Sequence, residues 1–367
     1  MKVPLVDLGW QHRQIAGDVE RGLSEVIAET AFIQGPQVTS FEESFASYIG
    51  VGHCVGVGSG TDALELAVRA LEIGPGDRVI VPANSFIASA LGVIRAGAGV
   101  VLVDCDADTY LMDMSQVADL LDDSVKAVMP VHLYGQIAPV DLLGELPPGV
   151  AIIEDAAQSQ GATRDGKGSG LFGSVAATSF YPGKNIGAYG DGGAILTNDS
   201  AIADQVRKLG NWGSDRKYHH PELGFNSRLD TVQAVVLSAK LSRLEEWNEM
   251  RRKAASNYAD LLSDMEMVKT PRVLEGNSHI WHVYVIRVPQ RDRVLELLQA
   301  GGVGAGVHYP VPMHLQGALS GLGYGPGAFP VTEAAADEIL SLPIYPGITE
   351  SQQEFVAQSL RKALATR

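Results

Sequence analysis

Lys184 stands in the run "SFYPGKNIGAYGDGGAI" (179–195), among glycines and aromatics, with no acidic side chain within three residues on either side. Surface lysines ordinarily lie among other charges on a polar helix face. A lysine amine held in a water-poor, glycine-lined turn has a lowered pKa and can condense with an aldehyde. A second stretch, "VAIIEDAAQSQGA" (150–162), ends an apolar strand in two carboxylates, Glu154 and Asp155. One of them is expected to face the ligand crevice that opens at the carboxyl ends of parallel strands, and the other to face away. A buried carboxylate there would keep a cationic nitrogen protonated; the plainer reading is a solvated strand end. A third stretch, "GVGSGTDALELAVRAL" (56–71), runs a glycine-rich turn into an amphipathic helix. The N–H groups of Gly60, Thr61 and Asp62 would lie unpaired in the first turn, an anion site that suits phosphate, or else an ordinary N-cap made by Ser59 or Thr61. The stretch is neither a Walker loop nor G-x-G-x-x-G. A lysine for an imine, a carboxylate for a ring nitrogen and a helix N-terminus for a phosphate are together the three handles of pyridoxal 5′-phosphate (PLP). Phe86, in "PANSFIAS", either supplies the flat face on which the pyridine ring stacks or is an ordinary core phenylalanine.

These residues need a scaffold that brings strand ends together. From Gly56 to about Thr197, apolar runs of strand length (78–82, 99–104, 125–131, 150–155, 175–180 and 192–197) alternate with helical stretches such as 61–72 and 85–96. Most of the runs are apolar throughout, which suits strands covered on both faces of a mostly parallel sheet. The pattern predicts an α/β fold with helices on both sides of the sheet. Residues 228 to about 265 read as one long helical stretch, with Leu237, Leu241, Leu244 and Trp247 on one face. A strand (282–288), a helix (292–300), a short strand (303–309) and a terminal helix (350–364) then outline a smaller α+β domain. The expected division is a large domain over 1–240, N-terminal helices included, and a small one over 241–367. The Gly- and Pro-rich loop 310–329 has no evident element of its own.

Composition narrows the function classes. Against 43 acidic residues stand 28 Lys and Arg, a net charge of −15. That balance argues against nucleic acid or an anionic membrane as a general partner. The apolar, uncharged run 79–94 is broken by Pro82, Asn84 and Ser85 and is no membrane span. Cys54 and Cys105 sit in apolar runs without a pairing framework and read as buried thiols in a reducing compartment. The N-terminus lacks the features of a signal peptide, so a cytoplasmic protein is expected. "KYHH" (217–220) lacks the carboxylate or cysteine pattern of a metal site, and no metal is expected.

Read in order, these motifs resemble the DegT/DnrJ/StrS family of sugar aminotransferases, PLP enzymes of the aspartate-aminotransferase fold (fold type I). The resemblance runs over nearly the whole chain, through "PLVDL" (4–8), "GSGTDAL" (58–64), "GPGDRVIVPANSFIAS" (74–89), "PVHLYGQ" (130–136), the lysine and aspartate motifs, "GFNSRLDTVQA" (224–234) and "VHYPVPMHLQ" (307–316). It implies a large domain with a seven-stranded, mostly parallel sheet. It implies that Lys184 carries the imine, Asp155 pairs with the pyridine nitrogen, Gln158 lies beside the ring near its hydroxyl and Phe86 stacks on it. Gly60, Thr61 and Ser179 would hold the phosphate. Asn226 would reach the phosphate of a neighbouring subunit, which implies a homodimer with shared active sites. His308 and Tyr309 would face the substrate, with Tyr181 and, as the cation in a matching motif, Arg228. Members with histidine at the lysine position are dehydratases; lysine here points to transamination, with L-glutamate as the implied donor. "GDGG" after the lysine is closer to members acting on 3-keto nucleotide sugars, whereas 4-keto and keto-cyclitol members tend to have "GEGG". A 4-keto or cyclitol aminotransferase, or a non-catalytic PLP-binding regulator, are the alternatives.

Overall fold

The structure is a computed structural model describing residues 1–366. Helices α1 (Leu8–Glu29) and α2 (Pro36–Ile49) lead into strand β1 (His53–Val57) and helix α3 (Gly60–Ala70). There follow β2 (Arg78–Pro82), α4 (Ala88–Arg95), β3 (Gly99–Val103), a single turn α5 (Val117–Leu120), β4 (Val125–Val128) and β5 (Ala151–Asp155). A short ribbon, β6 (Thr163–Arg164) and β7 (Lys167–Gly168), precedes β8 (Val175–Ser179), β9 (Gly193–Thr197) and α6 (Ser200–Gly210). One seven-stranded sheet has the order β3-β2-β4-β5-β8-β9-β1, and β9 alone runs against its neighbours. The apolar runs are continuous because both faces of the sheet are sealed. Val79 and Val81 pack on the α3 and α4 side, whereas Ile80 between them belongs to the opposite cluster with Val101 and Val128.

Both neighbours of β5, β4 and β8, run parallel to it. Asp155 at the end of β5, Ser179 at the end of β8 and the turn after β1 all emerge on the same edge, where β9 begins at Gly193.

The remainder comprises α7 (Thr231–Leu241), α8 (Leu244–Leu262), β10 (Asn277–Ser278, paired with β6), β11 (Tyr284–Arg287), α9 (Arg291–Ala300), α10 (Pro330–Glu338), β12 (Ile339–Leu342) and α11 (Glu350–Ala365). The antiparallel pair β11–β12 shares a core with α8, α9 and α11, built on Tyr258, Tyr284, Leu340 and Leu360, and Val3 from the N-terminus is part of it.

Three local expectations are corrected. The stretch 228–265 is two helices, not one: α7 packs on α1 and α2, while α8 turns to pack on α11, so the axis breaks at Ser242 and Arg243. Residues 303–309 form no strand; glycines interrupt the run, and only isolated bridges, Val3 to Val303 and Gly306 to Ser341, are made. The loop 310–329 holds two 3-10 turns, Met313–Leu315 and Gly317–Leu322, and plugs Met313, Leu319 and Phe329 into the core of the sheet.

Candidate active site

The strand ends and the turns beyond them border a cavity of about 650 Å³. Gly60, Thr61, Phe86, Asp155, Gln158, Ser179, Tyr181, Lys184, His308 and Tyr309 all line it. Segments remote in sequence therefore converge on one place, as expected at the carboxyl edge of an open α/β sheet.

The two carboxylates at the end of β5 face opposite ways. Glu154 is fully buried and accepts from the N–H groups of Gly170, Phe172 and Gly173 at 2.7–2.9 Å. It also accepts from His132 Nε2 at 2.8 Å; the proton lies there because His132 Nδ1 accepts from the Ala138 N–H. Glu154 therefore organises a loop. Asp155 faces the cavity. Its Oδ2 accepts from Ser89 Oγ at 2.7 Å, and Ser89 accepts in turn from Ser85 at 3.0 Å. Its Oδ1 accepts from the Ala157 N–H at 3.2 Å. Burial pushes the Asp155 carboxyl above the usual range, against the pull of Ser89, Ala157 and the Lys184 charge. A cationic nitrogen brought against it would favour the ionised form again.

Lys184 lines this cavity and is half-buried. Loss of water pushes its amine down to about 8, although the Asp155 carboxylate works the other way. A sizeable share of the amine is thus neutral near physiological pH, the state in which nitrogen is a nucleophile or a base.

Where α3 begins, Ser59 caps the helix by accepting from the Asp62 N–H at 3.1 Å. The Gly60 and Thr61 N–H groups, having no carbonyl a turn earlier, face the cavity edge. Gly60 is glycine because the helix start crosses β8 closely: a Cβ there would lie 2.5 Å from Ser179 Cβ. The cradle is a crossing of helix and strand that only a missing side chain permits.

Phe86 is 52% exposed and so is no core residue; its ring lies 5.3 Å from that of Tyr309. Gln158 Nε2 donates to the Tyr309 hydroxyl at 3.1 Å while its Oε1 accepts from the Tyr134 N–H at 2.7 Å, which fixes the amide. Burial and the Asp155 charge push Tyr309 up to about 12. His308 Nδ1 lies 2.8 Å from Ser341 Oγ, and burial with the nearby Lys184 charge pushes its imidazole down to about 4.

Asn226 and Arg228 do not line the cavity of their own chain. They hydrogen-bond to each other at 3.0 Å, and the Arg228 guanidinium lies over the Trp212 ring. The cavity residues not identified from sequence include the polar side chains of Ser89, Asp191 and His282. Ser89 stands three residues after Phe86 in the quoted motif, but its partner is 66 residues away.

A buried carboxylate, a half-buried lysine in the same cavity, a ring-sized apolar face and a glycine-built helix terminus fit PLP. The arrangement defines the class of fold-type-I, PLP-dependent enzymes. Over residues 14–361 the chain matches the DegT/DnrJ/EryC1/StrS aminotransferase family, and it belongs to that family. It is 43% identical over 364 residues to the "Pleiotropic regulatory protein" of Geobacillus stearothermophilus, covering 98% of each chain. It is 40% identical over 363 residues to the dTDP-3-amino-3,4,6-trideoxy-alpha-D-glucose transaminase of Streptomyces venezuelae, covering 98% of this chain and 96% of that one. The structure of S. venezuelae DesV in complex with a ketimine intermediate superposes with a TM-score of 0.96 at 40% identity, covering 100% of this chain and 99% of that one. Among the described residues no helix is long and apolar enough to cross a membrane.

Proposed function

We propose that the protein moves an amino group from L-glutamate to C3 of a keto sugar carried on a nucleoside diphosphate. The observation that carries this is the approach of Lys184 and Asp155 to one cavity, with a lysine amine held near 8. Support for C3 comes from the 3-amino product named for the S. venezuelae relative and from "GDGG" after the lysine.

When bound, PLP supplies an electrophilic aldehyde and an electron-accepting pyridine ring. The chain supplies the rest. The first turn of α3 and the Ser179 hydroxyl bind phosphate oxygens. Phe86 covers one face of the ring and keeps water from it. Asp155, held by Ser89, keeps the ring nitrogen protonated. Lys184 Nζ, neutral in part, would take the proton from the Cα of the amino donor and hold it within the cavity for return to the carbon that was the cofactor's aldehyde. His308, Tyr309 and Tyr181 face the sugar.

The site also supports a homodimer. Asn226 and Arg228 stand outside their own cavity on a face that exposes Trp212, Tyr218 and Leu223, apolar surface that a second copy would cover. Free, buried Cys54 and Cys105 suit a reducing compartment such as the cytoplasm.

A regulator that binds PLP without turnover is the second reading, favoured by the name of the G. stearothermophilus relative. The visible spectrum of the PLP-loaded protein, before and after L-glutamate, decides between them. Loss of the visible band with release of 2-oxoglutarate supports the transaminase, and 3-keto and 4-keto nucleotide sugars can then be compared as acceptors. A band unmoved by L-glutamate and by other amino donors supports the regulator. No visible band with PLP would remove both.

A further inference from the structure

Ser227 has no part in the reading above, although it stands between Asn226 and Arg228, which turn away from the cavity. Residues 225–227 run along the end of α6. The Phe225 N–H donates to the Leu209 carbonyl at 2.7 Å, the Trp212 N–H to the Phe225 carbonyl at 2.8 Å and the Ser227 N–H to the Gly210 carbonyl at 2.9 Å. The approach is close: a Cβ on Gly210 would lie 2.6 Å from the Ser227 carbonyl oxygen. Successive side chains of such a segment point opposite ways. Asn226 is exposed, whereas Ser227 is buried and meets the glycine turn that opens α3.

The Ser227 hydroxyl makes two hydrogen bonds there, and their directions are fixed. Its Oγ accepts from the Gly58 N–H at 3.0 Å, so its own proton goes to Asp62 Oδ2 at 2.8 Å. Asp62 is tied at its amide as well, which donates to Ser59 Oγ at 3.1 Å. Arg95 Nη1 stands 3.5 Å from the other carboxylate oxygen, and the Asp62 side chain stays out of the cavity. One hydroxyl thus closes the turn from Gly58 to the third residue of α3. The N–H groups of Gly60 and Thr61 lie within the stretch it closes. The same turn rests on two strand ends: a Cβ on Gly60 would lie 2.5 Å from Ser179 Cβ, and one on Gly193 would lie 2.5 Å from the Ser59 carbonyl.

We propose that Ser227 is a positioning residue for the phosphate cradle: its hydroxyl braces the turn from Gly58 to Asp62, so that the Gly60 and Thr61 N–H groups keep their direction toward the phosphate. Ser227 does not line the cavity and acts only through the turn. The inference rests on the first turn of α3 being the phosphate site of PLP, and its test separates the two.

PLP and pyridoxal, which lacks the phosphate, are titrated into the apoprotein and followed by their visible bands. Wild type binds PLP more tightly than pyridoxal. In S227A the affinity for PLP falls about tenfold, the worth of one hydrogen bond lost from a buried turn, while the affinity for pyridoxal is unchanged. A purely structural role would weaken both ligands alike. Equal losses for the two, or an unchanged affinity for PLP, overturn the assignment. A wild type that binds PLP no better than pyridoxal refutes the phosphate site itself, and the role of Ser227 with it. Should S227A fail to fold, S227C decides, because a thiol nearly keeps the shape but is a weak donor and acceptor. A loss confined to PLP then upholds the assignment, and no loss, or one shared with pyridoxal, overturns it.

Discussion

Replacing Lys184 with methionine should make the apoprotein more stable at neutral pH, although it abolishes turnover. Burial takes the amine from an ordinary 10.5 to about 8. At about 1.4 kcal/mol per pH unit, carrying the charged amine costs the native apoprotein roughly 3 kcal/mol. Methionine has a similar length and no charge to desolvate. The pull of the Asp155 carboxylate is already contained in that value of about 8, so the expected gain stays at roughly 3 kcal/mol. The pH dependence has a definite sign. Below about 8 both native and unfolded chains hold the lysine proton, and the penalty is complete. Between about 8 and 10.5 the unfolded chain binds a proton that the native chain has lost, so wild-type stability climbs with pH relative to K184M. Above 10.5 the two curves meet. Urea unfolding of both apoproteins across this range measures the difference. Equal stability at neutral pH, or a difference that stays constant through the alkaline range, would refute the claim that Lys184 sits desolvated in the cavity.

Three further outcomes follow from the site's geometry. G60A places a Cβ 2.5 Å from Ser179 Cβ and costs about 1–3 kcal/mol; G60A/S179G recovers stability in urea unfolding but not PLP affinity measured by spectroscopic titration. F86A leaves stability within about 0.5 kcal/mol, because the ring is 52% exposed. The same change weakens PLP binding about tenfold, the worth of one aromatic contact. E154Q sets an amide NH₂ against backbone N–H donors in a sealed pocket and destabilises the apoprotein by about 3–5 kcal/mol in urea unfolding, well outside the effect of any exposed carboxylate.

Much of the site was legible because its parts are local. A glycine turn before an amphipathic helix, two carboxylates closing an apolar run and a lysine among glycines each carry their signal within about a dozen residues. Continuous apolar runs likewise announced strands buried on both faces, and the reason is the sealing of Val79 to one side and Ile80 to the other. Which of Glu154 and Asp155 faces the cavity could not be read, since alternation gives opposite directions but no absolute one. The loop 170–173 takes Glu154, and Ser89 takes Asp155.

The sequence by itself determined the chemistry on offer: an amine, a carboxylate and an anion-binding helix terminus, in that combination. Only the tertiary structure decided what surrounds them. The break between α7 and α8 was hidden because an unbroken apolar stripe does not show that its two halves pack on different cores. Phe86 was ambiguous until its ring proved exposed in the cavity. Ser227 was invisible for the same reason, because its partners Gly58 and Asp62, 169 and 165 residues away, meet it only when the chain is folded. Local pattern fixes the identity of a reactive group, whereas its protonation and direction depend on neighbours that only long-range packing brings to it.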